Sequence, residues 1–329
     1  MIQNKDTPAF SESHLTYDDF LKAQRDLIGI TEVTPLVLSP SLSSLIEGKV
    51  FLKYEHTQIT HSFKARGAYI KLISLSESER KKGVVAISAG NHAKAVSYHC
   101  KKLHIPVTVV MPHETPANKV KACEDLGAQI IFHGAHLAES FEKGEEIARK
   151  KGMTIIHPYD DPLIIAGQGT VGIELIEQHR TPLDAVVIPI GGGGLAAGIG
   201  RVLSARWPLC DIYGVQSEFA PEMAELLFHY RTTAPRPSKT IAEGIAVKKP
   251  GVYTQEILKD VLSDIFVVTE ESIKKAIHYL LIHEKQVTEG AGASGVAALL
   301  ANIHAFKGKN IAIILCGSNI DAAFIKECL

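Results

Sequence analysis

Four consecutive glycines, Gly191-Gly192-Gly193-Gly194, are the strongest chemical signal in the sequence. They directly follow a predicted strand at Ala185–Ile190, and a predicted helix begins after them at Leu195. Glycine has no Cβ to shield its backbone N–H group, and at a helix amino terminus such groups and the helix dipole attract an anion. A simple flexible turn would need only one or two glycines. The run therefore predicts a phosphate site.

The type of phosphate ligand stays open at this point. The sequence contains no G-x-x-x-x-G-K-[ST] segment, which argues against a nucleoside triphosphatase. A dinucleotide is an alternative, because Gly192-x-Gly194-x-x-Ala197 approximates the pattern G-x-G-x-x-[GA] and Glu218 lies beyond the next strand. That match is weak, since a run of glycines satisfies many glycine patterns by chance.

Lys64 lies where a helix is predicted to begin. Lys64 falls in the first turn of this helix, where the helix dipole disfavours a cation. A lysine that forms an imine loses its full charge, and a helix amino terminus helps to lower its pKa. The alternative is a lysine that simply extends into solvent. We expect Ser62 to cap this helix. The buried stripe of the helix would comprise Ala65, Ala68, Tyr69 and Leu72.

A third segment, Ser88-Ala89-Gly90-Asn91-His92, also lies between a predicted strand and a predicted helix. Small residues and an asparagine suit a tight turn that presents N–H groups and a side-chain amide to a ligand, although an ordinary capped turn has the same composition. A lysine nucleophile, an anion loop and a polar turn that could hold a carboxylate have one economical explanation together. They predict a cofactor with a carbonyl and a phosphate, pyridoxal 5′-phosphate (PLP).

Short Val- and Ile-rich runs alternate with helix-length segments along the chain. Most runs carry no alternating polar residue, which is typical of strands buried on both faces of a parallel sheet. The repetition predicts an α/β fold with parallel sheets and right-handed crossovers, and nine strands exceed an average sheet of about 5–6, so we expect two layers. The predicted strands are Val50–Tyr54, Val84–Ser88, Val107–Met111, Gln129–His133, Thr154–His157, Ala185–Ile190, Ile212–Gln216, Ile265–Val268 and Ile311–Leu315.

Composition and charge exclude several classes of protein. The chain has 329 residues, 46% hydrophobic and 22% charged, which is typical of a soluble globular protein of about two domains. Its net charge of −1 argues against a nucleic-acid partner or an acidic membrane surface. No apolar run approaches the ~18 residues of a membrane span, and no secretory signal is visible. The breaker-rich segment Thr232–Ser238 predicts a surface loop.

Cysteine usage indicates the compartment. The five cysteines are widely spaced, odd in number and contain no C-x-x-C pair, which argues against a disulfide framework or a zinc site. This pattern fits a reducing cytoplasm, which is the expected location. The cysteines are Cys100, Cys123, Cys210, Cys316 and Cys328.

Over nearly its whole length the chain resembles the fold-type II PLP enzymes, specifically the short catabolic threonine/serine dehydratases, and it is related to the serine racemases. The order and spacing of seven segments carry the resemblance. It implies a two-domain α/β fold like that of the tryptophan synthase β chain, with twisted, parallel-rich sheets flanked by helices. The segments are Ser62–Ala68, Ser88–Ala93, Ala166–Thr170, Gly191–Leu195, Thr240–Gly244, Thr288–Gly292 and Cys316–Asn319.

The resemblance also implies a role for each matching residue. Lys64 would hold PLP as an imine and Phe63 would flank its ring. Asn91 would bond the ring oxygen, Glu289 would lie near the ring, and Cys316 would face the pyridine nitrogen. Two larger sets complete the site: the phosphate would be cradled by Gly191, Gly192, Gly193, Gly194 and Leu195, and the substrate carboxylate would be lined by Ser88, Ala89, Gly90, Asn91 and His92.

The implied reaction is dehydration of L-threonine to 2-oxobutanoate and ammonia, and of L-serine to pyruvate. Serine racemases place a second serine at the position of Ala89, and alanine cannot transfer a proton, so we expect weak or no racemase activity. We expect a large PLP-binding domain at residues 1–83 and 158–329 and a small mobile domain at residues 84–157. The chain stops at Leu329, soon after Asn319, which predicts that no carboxy-terminal regulatory domain is present.

Three departures from the family pattern bear on the substrate. His61 stands where glycine usually precedes Ser-Phe-Lys, Lys94 stands where glutamine is frequent, and Ser318 replaces a common glycine. A dehydratase of another 3-hydroxy amino acid, such as 3-hydroxyaspartate, is therefore an alternative. Serine racemases also bind a divalent metal, and the matching positions here are Gln216, Ala220 and Glu222. Glutamine in place of one acid weakens that site, so no divalent metal is expected, whereas a monovalent ion is an open alternative.

Partners follow mainly from the resemblance. It implies a small amino-acid substrate, a homodimer or homotetramer, and a nucleotide effector in some members. Two rivals come from outside the family. One is a non-catalytic protein that binds a phosphate ligand or nucleotide, which would need no imine at Lys64. The other is a nicotinamide oxidoreductase, which leaves Lys64 unexplained.

Overall fold

The computed structural model describes residues 15–231 and 239–329, so the predicted surface loop at 232–238 lies outside the described residues. The strands are β1 Leu36–Ser39, β2 Lys49–Lys53, β3 Val84–Ile87, β4 Val107–Met111, β5 Gln129–Phe132, β6 Thr154–Ile155, β7 Ala185–Pro189, β8 Asp211–Ser217, β9 Asp264–Val268 and β10 Asn310–Ile314.

The α-helices are α1 Tyr17–Leu27, α2 Pro40–Ile46, α3 Lys64–Ile73, α4 Glu77–Lys82, α5 Asn91–Leu103, α6 Ala117–Glu124, α7 Leu137–Lys151, α8 Pro162–Gln178, α9 Gly194–Arg206, α10 Glu222–Phe228, α11 Val252–Val261, α12 Glu270–Tyr279, α13 Gly290–Ala301, α14 Ile303–Phe306 and α15 Ala322–Cys328. Short 3-10 turns lie at Glu55–Thr57, Ile59–His61 and Glu243–Ile245, and a π turn lies at Leu280–Glu284. None of the described helices is both long and apolar enough to cross a membrane.

The strands form two sheets. One has six strands in the order β1-β2-β10-β7-β8-β9, and the other has four in the order β5-β4-β3-β6. All neighbouring strands are parallel except β1 and β2. All nine predicted strands are present, and the parallel α/β architecture in two layers is confirmed.

One strand, β1, was not predicted from the sequence. It pairs antiparallel with β2 at the edge of the large sheet, with Leu36 opposite Lys53. Val37 and Leu38 are exposed, so this strand is not a run buried on both faces like β7 or β4. An exposed edge strand lacks the hydrophobic pattern by which buried parallel strands are identified.

Helix α3 is held tightly against α8. A Cβ added to Gly167 in α8 would lie 2.5 Å from the Gly67 Cα atom in α3, so both helices need glycine at this crossing. Of the stripe predicted to be buried in α3, Ala65, Ala68 and Leu72 are buried and Tyr69 is half-buried. This packing fixes the helix that carries Lys64.

The predicted capping role of Ser62 is wrong. Phe63 already has helical backbone angles and is the cap residue, whereas Ser62 is extended and forms an isolated bridge with Gly317. The Ser62 hydroxyl does not bond the first turn of α3. The extended backbone conformation of Ser62 is set by pairing with a segment more than 250 residues away. The local sequence pattern could not predict that pairing.

The functional segments meet at the carboxyl ends of parallel strands. Residues 88–92 follow β3, residues 158–159 follow β6, residues 191–194 follow β7, and Cys316 follows β10. In open α/β sheets this edge is where ligands bind, because loops from neighbouring strands converge there. The two sheets therefore bring segments that are far apart in the sequence to one crevice.

Candidate active site

Lys64 lies at the start of α3 in a confined, half-buried position. Its Nζ donates a hydrogen bond to the Pro158 carbonyl at 2.6 Å and lies 5.1 Å from the centre of the Phe63 ring. Burial lowers the pKa of Lys64 to about 8, and the nearby Cys316 and Glu289 counteract this only in part. A lysine with this pKa has a substantial neutral fraction near neutral pH, which nucleophilic attack on a carbonyl requires.

The glycine loop presents unpaired amides. Within the described residues, no protein acceptor receives a hydrogen bond from the amides of residues 191–195, although most of them are buried. Gly193 has a φ of 100°, a conformation that favours glycine. Thr254 Oγ1 anchors the loop by donating to the Gly192 carbonyl at 2.6 Å. Buried N–H groups at a helix amino terminus form an anion site, so the loop has the form predicted for phosphate.

Tyr159 connects the glycine loop to Lys64. Its neighbour Pro158 accepts the Lys64 hydrogen bond, and a Cβ added to Gly192 would lie 2.2 Å from the Tyr159 ring. No role for Tyr159 was predicted from the sequence. The available signal was its position just after the predicted strand Thr154–His157, the same placement that singled out the other two turns.

The turn at residues 88–92 begins helix α5. The Gly90 amide donates to Ser88 Oγ at 3.2 Å, and α5 starts at Asn91. Asn91 Nδ2 donates to Glu289 Oε1 at 2.7 Å, and Asn91 Oδ1 accepts from Asn319 Nδ2 at 2.6 Å. Two segments near the carboxy terminus therefore orient the Asn91 amide. Asn319 was not named as a site residue, although it belongs to the same turn as Cys316.

His92 and Ala89 differ in their surroundings. His92 is buried, and its Nε2 lies 2.7 Å from the Ile156 carbonyl, so this nitrogen carries the proton. Burial, together with the nearby Lys64 charge, lowers the pKa of His92 to about 3, which keeps the ring neutral at neutral pH. Ala89 is half-buried. Whether these two residues line a carboxylate site stays a prediction.

Glu289 and Cys316 contribute two further perturbed groups. Burial raises the pKa of Glu289 to about 7, although hydrogen bonds from Asn91 and the Asn319 amide oppose the shift. Burial also raises the pKa of the Cys316 thiol, so the group is a neutral thiol at neutral pH. The Cys316 carbonyl accepts from the Phe63 amide at 3.2 Å, which holds this strand end beside the residue that precedes Lys64.

Gln216, one of the three weak metal candidates, bonds backbone groups through both atoms of its side-chain amide. Gln216 Oε1 accepts from the Ala224 amide at 2.8 Å, and its Nε2 donates to the Ile190 carbonyl at 3.3 Å. In the described ranges no group of three or more His, Cys, Asp or Glu residues converges as a metal site. Gln216 therefore acts as a structural link between β8, α10 and the glycine loop.

The residues present fit PLP. Lys64 supplies an amine of lowered pKa, and residues 191–195 supply a set of unpaired amides that suits a phosphate. Ser62 Oγ and Thr288 Oγ1 are buried, and neither has a hydrogen-bond partner in the described part of the chain. Buried polar atoms are normally satisfied, so these hydroxyls also indicate a polar ligand in the crevice. The specific role of each residue toward the cofactor stays a prediction.

Relatives of known name cover nearly the whole chain. It is 43% identical over 315 residues to the L-threonine ammonia-lyase of Thermotoga maritima, covering 96% of this chain and 78% of that protein. It is 40% identical over 322 residues to the catabolic L-threonine dehydratase of Escherichia coli strain K12, covering 95% and 98% of the two chains. The crystal structure of a threonine deaminase from T.th. superimposes with a TM-score of 0.85 at 36% identity, covering 92% and 98%.

A family model described as "Pyridoxal-phosphate dependent enzyme" matches residues 29–317. This match confirms the resemblance and the predicted cofactor, and it argues against a nicotinamide oxidoreductase and a non-catalytic phosphate-binding protein. It also agrees with the geometry, since the matched range contains Lys64, the glycine loop and Cys316. The chain belongs to the family of pyridoxal-phosphate-dependent enzymes.

Proposed function

We propose that this chain is an L-threonine ammonia-lyase that converts L-threonine to 2-oxobutanoate and ammonia, with L-serine as a second substrate that yields pyruvate. One observation carries the proposal: the neutralisable Lys64 amine and the unpaired amides of residues 191–195 meet at one crevice. The names of the two relatives at 43% and 40% identity support threonine as the substrate.

When bound, PLP supplies an electron sink for the negative charge that forms at the substrate Cα. Lys64 is the residue that would hold the cofactor through its amine, and binding of the substrate amine in its place would free the Lys64 amine. The freed Lys64 amine then removes the Cα proton, and a pKa of about 8 is close to the value that suits a general base near neutral pH. The Cβ hydroxyl leaves as water, and water later returns to release ammonia and the 2-oxo acid.

Cys316 favours elimination over transamination in this scheme. A thiol is a weak hydrogen-bond partner, and burial raises its pKa, so it bears no negative charge at neutral pH. Unlike a carboxylate, it would not hold the pyridine nitrogen protonated. A weaker electron sink suits a reaction in which the Cα charge is short-lived. Racemisation should be weak, because Ala89 has no transferable proton.

The domain division is also a proposal. Residues 84–157 would form the small mobile domain, and residues 1–83 and 158–329 the large one. The sheet topology supports this, since β3 to β6 belong to the four-stranded sheet and all other described strands belong to the six-stranded sheet. The proposed homodimer or homotetramer, the nucleotide effector and the cytoplasmic location rest on the resemblance and on cysteine usage.

Visible absorption and the formation of 2-oxo acids together test the proposed function. The purified protein should be yellow and should form 2-oxo acids from L-threonine and L-serine but not from their D forms. Lys64→Ala should lose the visible absorption band and lower kcat by at least about 10³-fold, because it removes both the cofactor link and the general base. Lys81→Ala is the control, since Lys81 is exposed and pairs with Glu77 in α4, the helix that follows α3.

Borohydride reduction followed by peptide mapping should place the cofactor on the peptide that contains Lys64. A protein that stays colourless with added PLP would overturn the proposal. A yellow protein that is inactive on threonine and serine would keep the cofactor and discard the substrate.

A further inference from the structure

Residues 156–161 form a crossover segment, which carries the chain from β6 in the four-stranded sheet to helix α8. His157 lies in this segment, and its half-buried ring packs near two aromatic rings, with centroid distances of 4.7 Å to Tyr159 and 6.2 Å to Phe141. His157 Nδ1 accepts hydrogen bonds from the Asp160 amide at 2.8 Å and from the Tyr159 amide at 3.3 Å. One ring nitrogen thus fixes two successive backbone amides.

The His157 ring has to be neutral to make these contacts. Both donors are backbone N–H groups, so Nδ1 can accept from them only while it carries no proton. Burial lowers the pKa of His157, the charge of Lys64 acts in the same direction, and the charges of Asp160 and Asp161 oppose the shift. The Nδ1 acceptor is therefore available at neutral pH.

The crossover segment contacts helix α3 at its first and its last turn. The Pro158 carbonyl accepts from Lys64 Nζ at 2.6 Å, and Asp161 Oδ2 pairs with Lys71 Nζ at 2.6 Å. Asp161 also caps the start of α8. Pro158 directly follows His157, so the turn that Nδ1 holds sets the position of the carbonyl that accepts from the Lys64 amine.

The same segment holds the glycine loop by two routes. A Cβ added to Gly192 would lie 2.2 Å from the Tyr159 ring, so the ring lies directly against the loop. Asp160 Oδ1 accepts from the Thr254 amide at 3.0 Å, and Thr254 Oγ1 donates to the Gly192 carbonyl at 2.6 Å. Tyr159 and Asp160 are the two residues whose amides His157 holds.

The turn at residues 88–92 is tied to the crossover segment as well. His92 Nε2 donates to the Ile156 carbonyl at 2.7 Å, one residue before His157. The Lys64 amine, the glycine loop and this turn therefore all depend on one short segment. Precise placement matters for catalysis, because a misplacement of about 1 Å can cost about 10²-fold in rate.

We infer that His157 is a positioning residue, which through the amides of Tyr159 and Asp160 fixes the Lys64 amine relative to the glycine-loop amides that would bind the PLP phosphate. His157 acts through these backbone groups and transfers no proton. The kinetic consequence rests on the proposed function, in which Lys64 is the general base. The consequence for cofactor binding is independent of the substrate.

Cofactor affinity tests the acceptor role of Nδ1. His157→Leu removes the acceptor, whereas His157→Asn offers Oδ1 at about the same distance from the backbone. PLP titrated into the PLP-free protein and followed by visible absorption should bind about tenfold more weakly to His157→Leu, as expected for the loss of hydrogen bonds to two amides. His157→Asn should bind PLP within about threefold of the wild type.

Inorganic phosphate tests the glycine loop apart from Lys64. Phosphate should raise the thermal midpoint of the PLP-free wild type, because it binds the folded loop. At the same phosphate concentration, this rise should be at most about half as large in His157→Leu and should persist in His157→Asn. In the holoenzyme, kcat for L-threonine should fall about 10- to 100-fold in His157→Leu and recover in His157→Asn.

His179→Leu is the matched control. His179 lies at the far end of α8 and is also half-buried, its Nδ1 lies 2.6 Å from the Thr181 carbonyl, and its ring centroid lies 4.8 Å from that of Phe51. Replacement of this histidine should leave the PLP affinity, the effect of phosphate and kcat unchanged.

The outcomes separate this inference from the proposed function. A folded His157→Leu protein that binds PLP within about twofold of the wild type overturns the inference alone. A folded His157→Asn protein that loses as much affinity as His157→Leu also overturns it. If His157→Leu fails to fold, His157→Ala removes the same acceptor without an apolar branch and decides in the same way. A wild type that binds PLP but acts on no 3-hydroxy amino acid overturns the proposed function, and the affinity measurements still decide the inference.

Discussion

Two groups of buried ionisable residues flank the first turn of α3, and they differ in how their charges are paired. On one side, Arg66 donates to Glu55 through Nε and Nη2, both at 2.8 Å, and to Glu174 at 2.6 Å. Lys53 donates to the other Glu174 oxygen at 2.5 Å. Two cations and two anions thus balance in a paired cluster. On the other side, Lys64 bonds a neutral carbonyl.

The difference in pairing determines how the groups titrate. In the paired cluster, burial disfavours the charged form of each group. Glu55 and Glu174 nevertheless raise the pKa of Arg66, and Arg66 holds the pKa of Glu55 below its usual value. In the site, burial lowers the pKa of Lys64 to about 8 and raises that of Glu289 to about 7. Pairing thus favours the charged forms of Arg66 and Glu55, although burial still lowers the pKa of Lys53 beside Glu174. Burial without an ion-pair partner brings Lys64 and Glu289 to the pH range where they can exchange protons.

The largest effect on stability is expected at Arg66. Arg66→Met leaves Glu55 and Glu174 buried without their shared partner, which should lower the free energy of unfolding by about 3–5 kcal/mol. Chemical denaturation measures this loss. Lys81→Met, in an exposed pair with Glu77, should cost at most about 1 kcal/mol. Equal effects of the two variants would show that the paired cluster is not held by its charges.

Removal of the Lys64 amine should raise the free energy of unfolding, whereas removal of the Arg66 guanidinium should lower it. Because its folded pKa of about 8 lies below the ordinary 10.5, the stability linked to its titration is present above pH 10.5 and lost as the pH falls through 8. Lys64→Met should therefore raise the free energy of unfolding of the PLP-free protein at pH 7 by about 1–3 kcal/mol. The gap should close between pH 8 and 10.5. A destabilised variant at pH 7 would contradict the comparison.

Glu289 should show the mirror-image dependence on pH. Its folded pKa of about 7 lies above the ordinary 4.5, so the linked stability is full below pH 4.5 and lost as the pH rises through 7. Relative to Glu289→Gln, the PLP-free wild type should lose about 1–2 kcal/mol of stability between pH 5 and pH 8, a value reduced for its partial exposure. Denaturation series at several pH values measure the slope, and a flat difference would contradict the assigned pKa.

The smallest effect on stability is expected at His61, whose backbone φ of 62° is one that non-glycine residues rarely adopt. His61→Gly removes the strain of a positive φ and should raise the free energy of unfolding by about 1 kcal/mol. Thermal denaturation of the holoenzyme measures this gain. Replacement of Lys81 by glycine, in the unstrained helix α4, should instead destabilise the protein by about 1 kcal/mol. A destabilising His61→Gly would show that the backbone at this position is not strained.

Local patterns predicted much of the fold and the chemistry. The buried strands β4 and β7 follow from their unbroken Val and Ile runs, because burial on both faces leaves no alternation. The glycine loop follows from the order of strand, glycines and helix, which are adjacent in the sequence. The edge strand β1 and the conformation of Ser62 could not be predicted, since both depend on pairing with other segments.

The sequence by itself determined which residues can do chemistry: a lysine at a helix start, an anion loop and a polar turn, each defined within a few residues of chain. The tertiary structure alone decided their partners and hence their charge states. Asn91 meets Glu289 across 198 positions, Lys53 meets Glu174 across 121, and Lys94 meets Asn319 across 225. A pKa depends on burial and on the nearest charges, and both are set only when distant segments pack together.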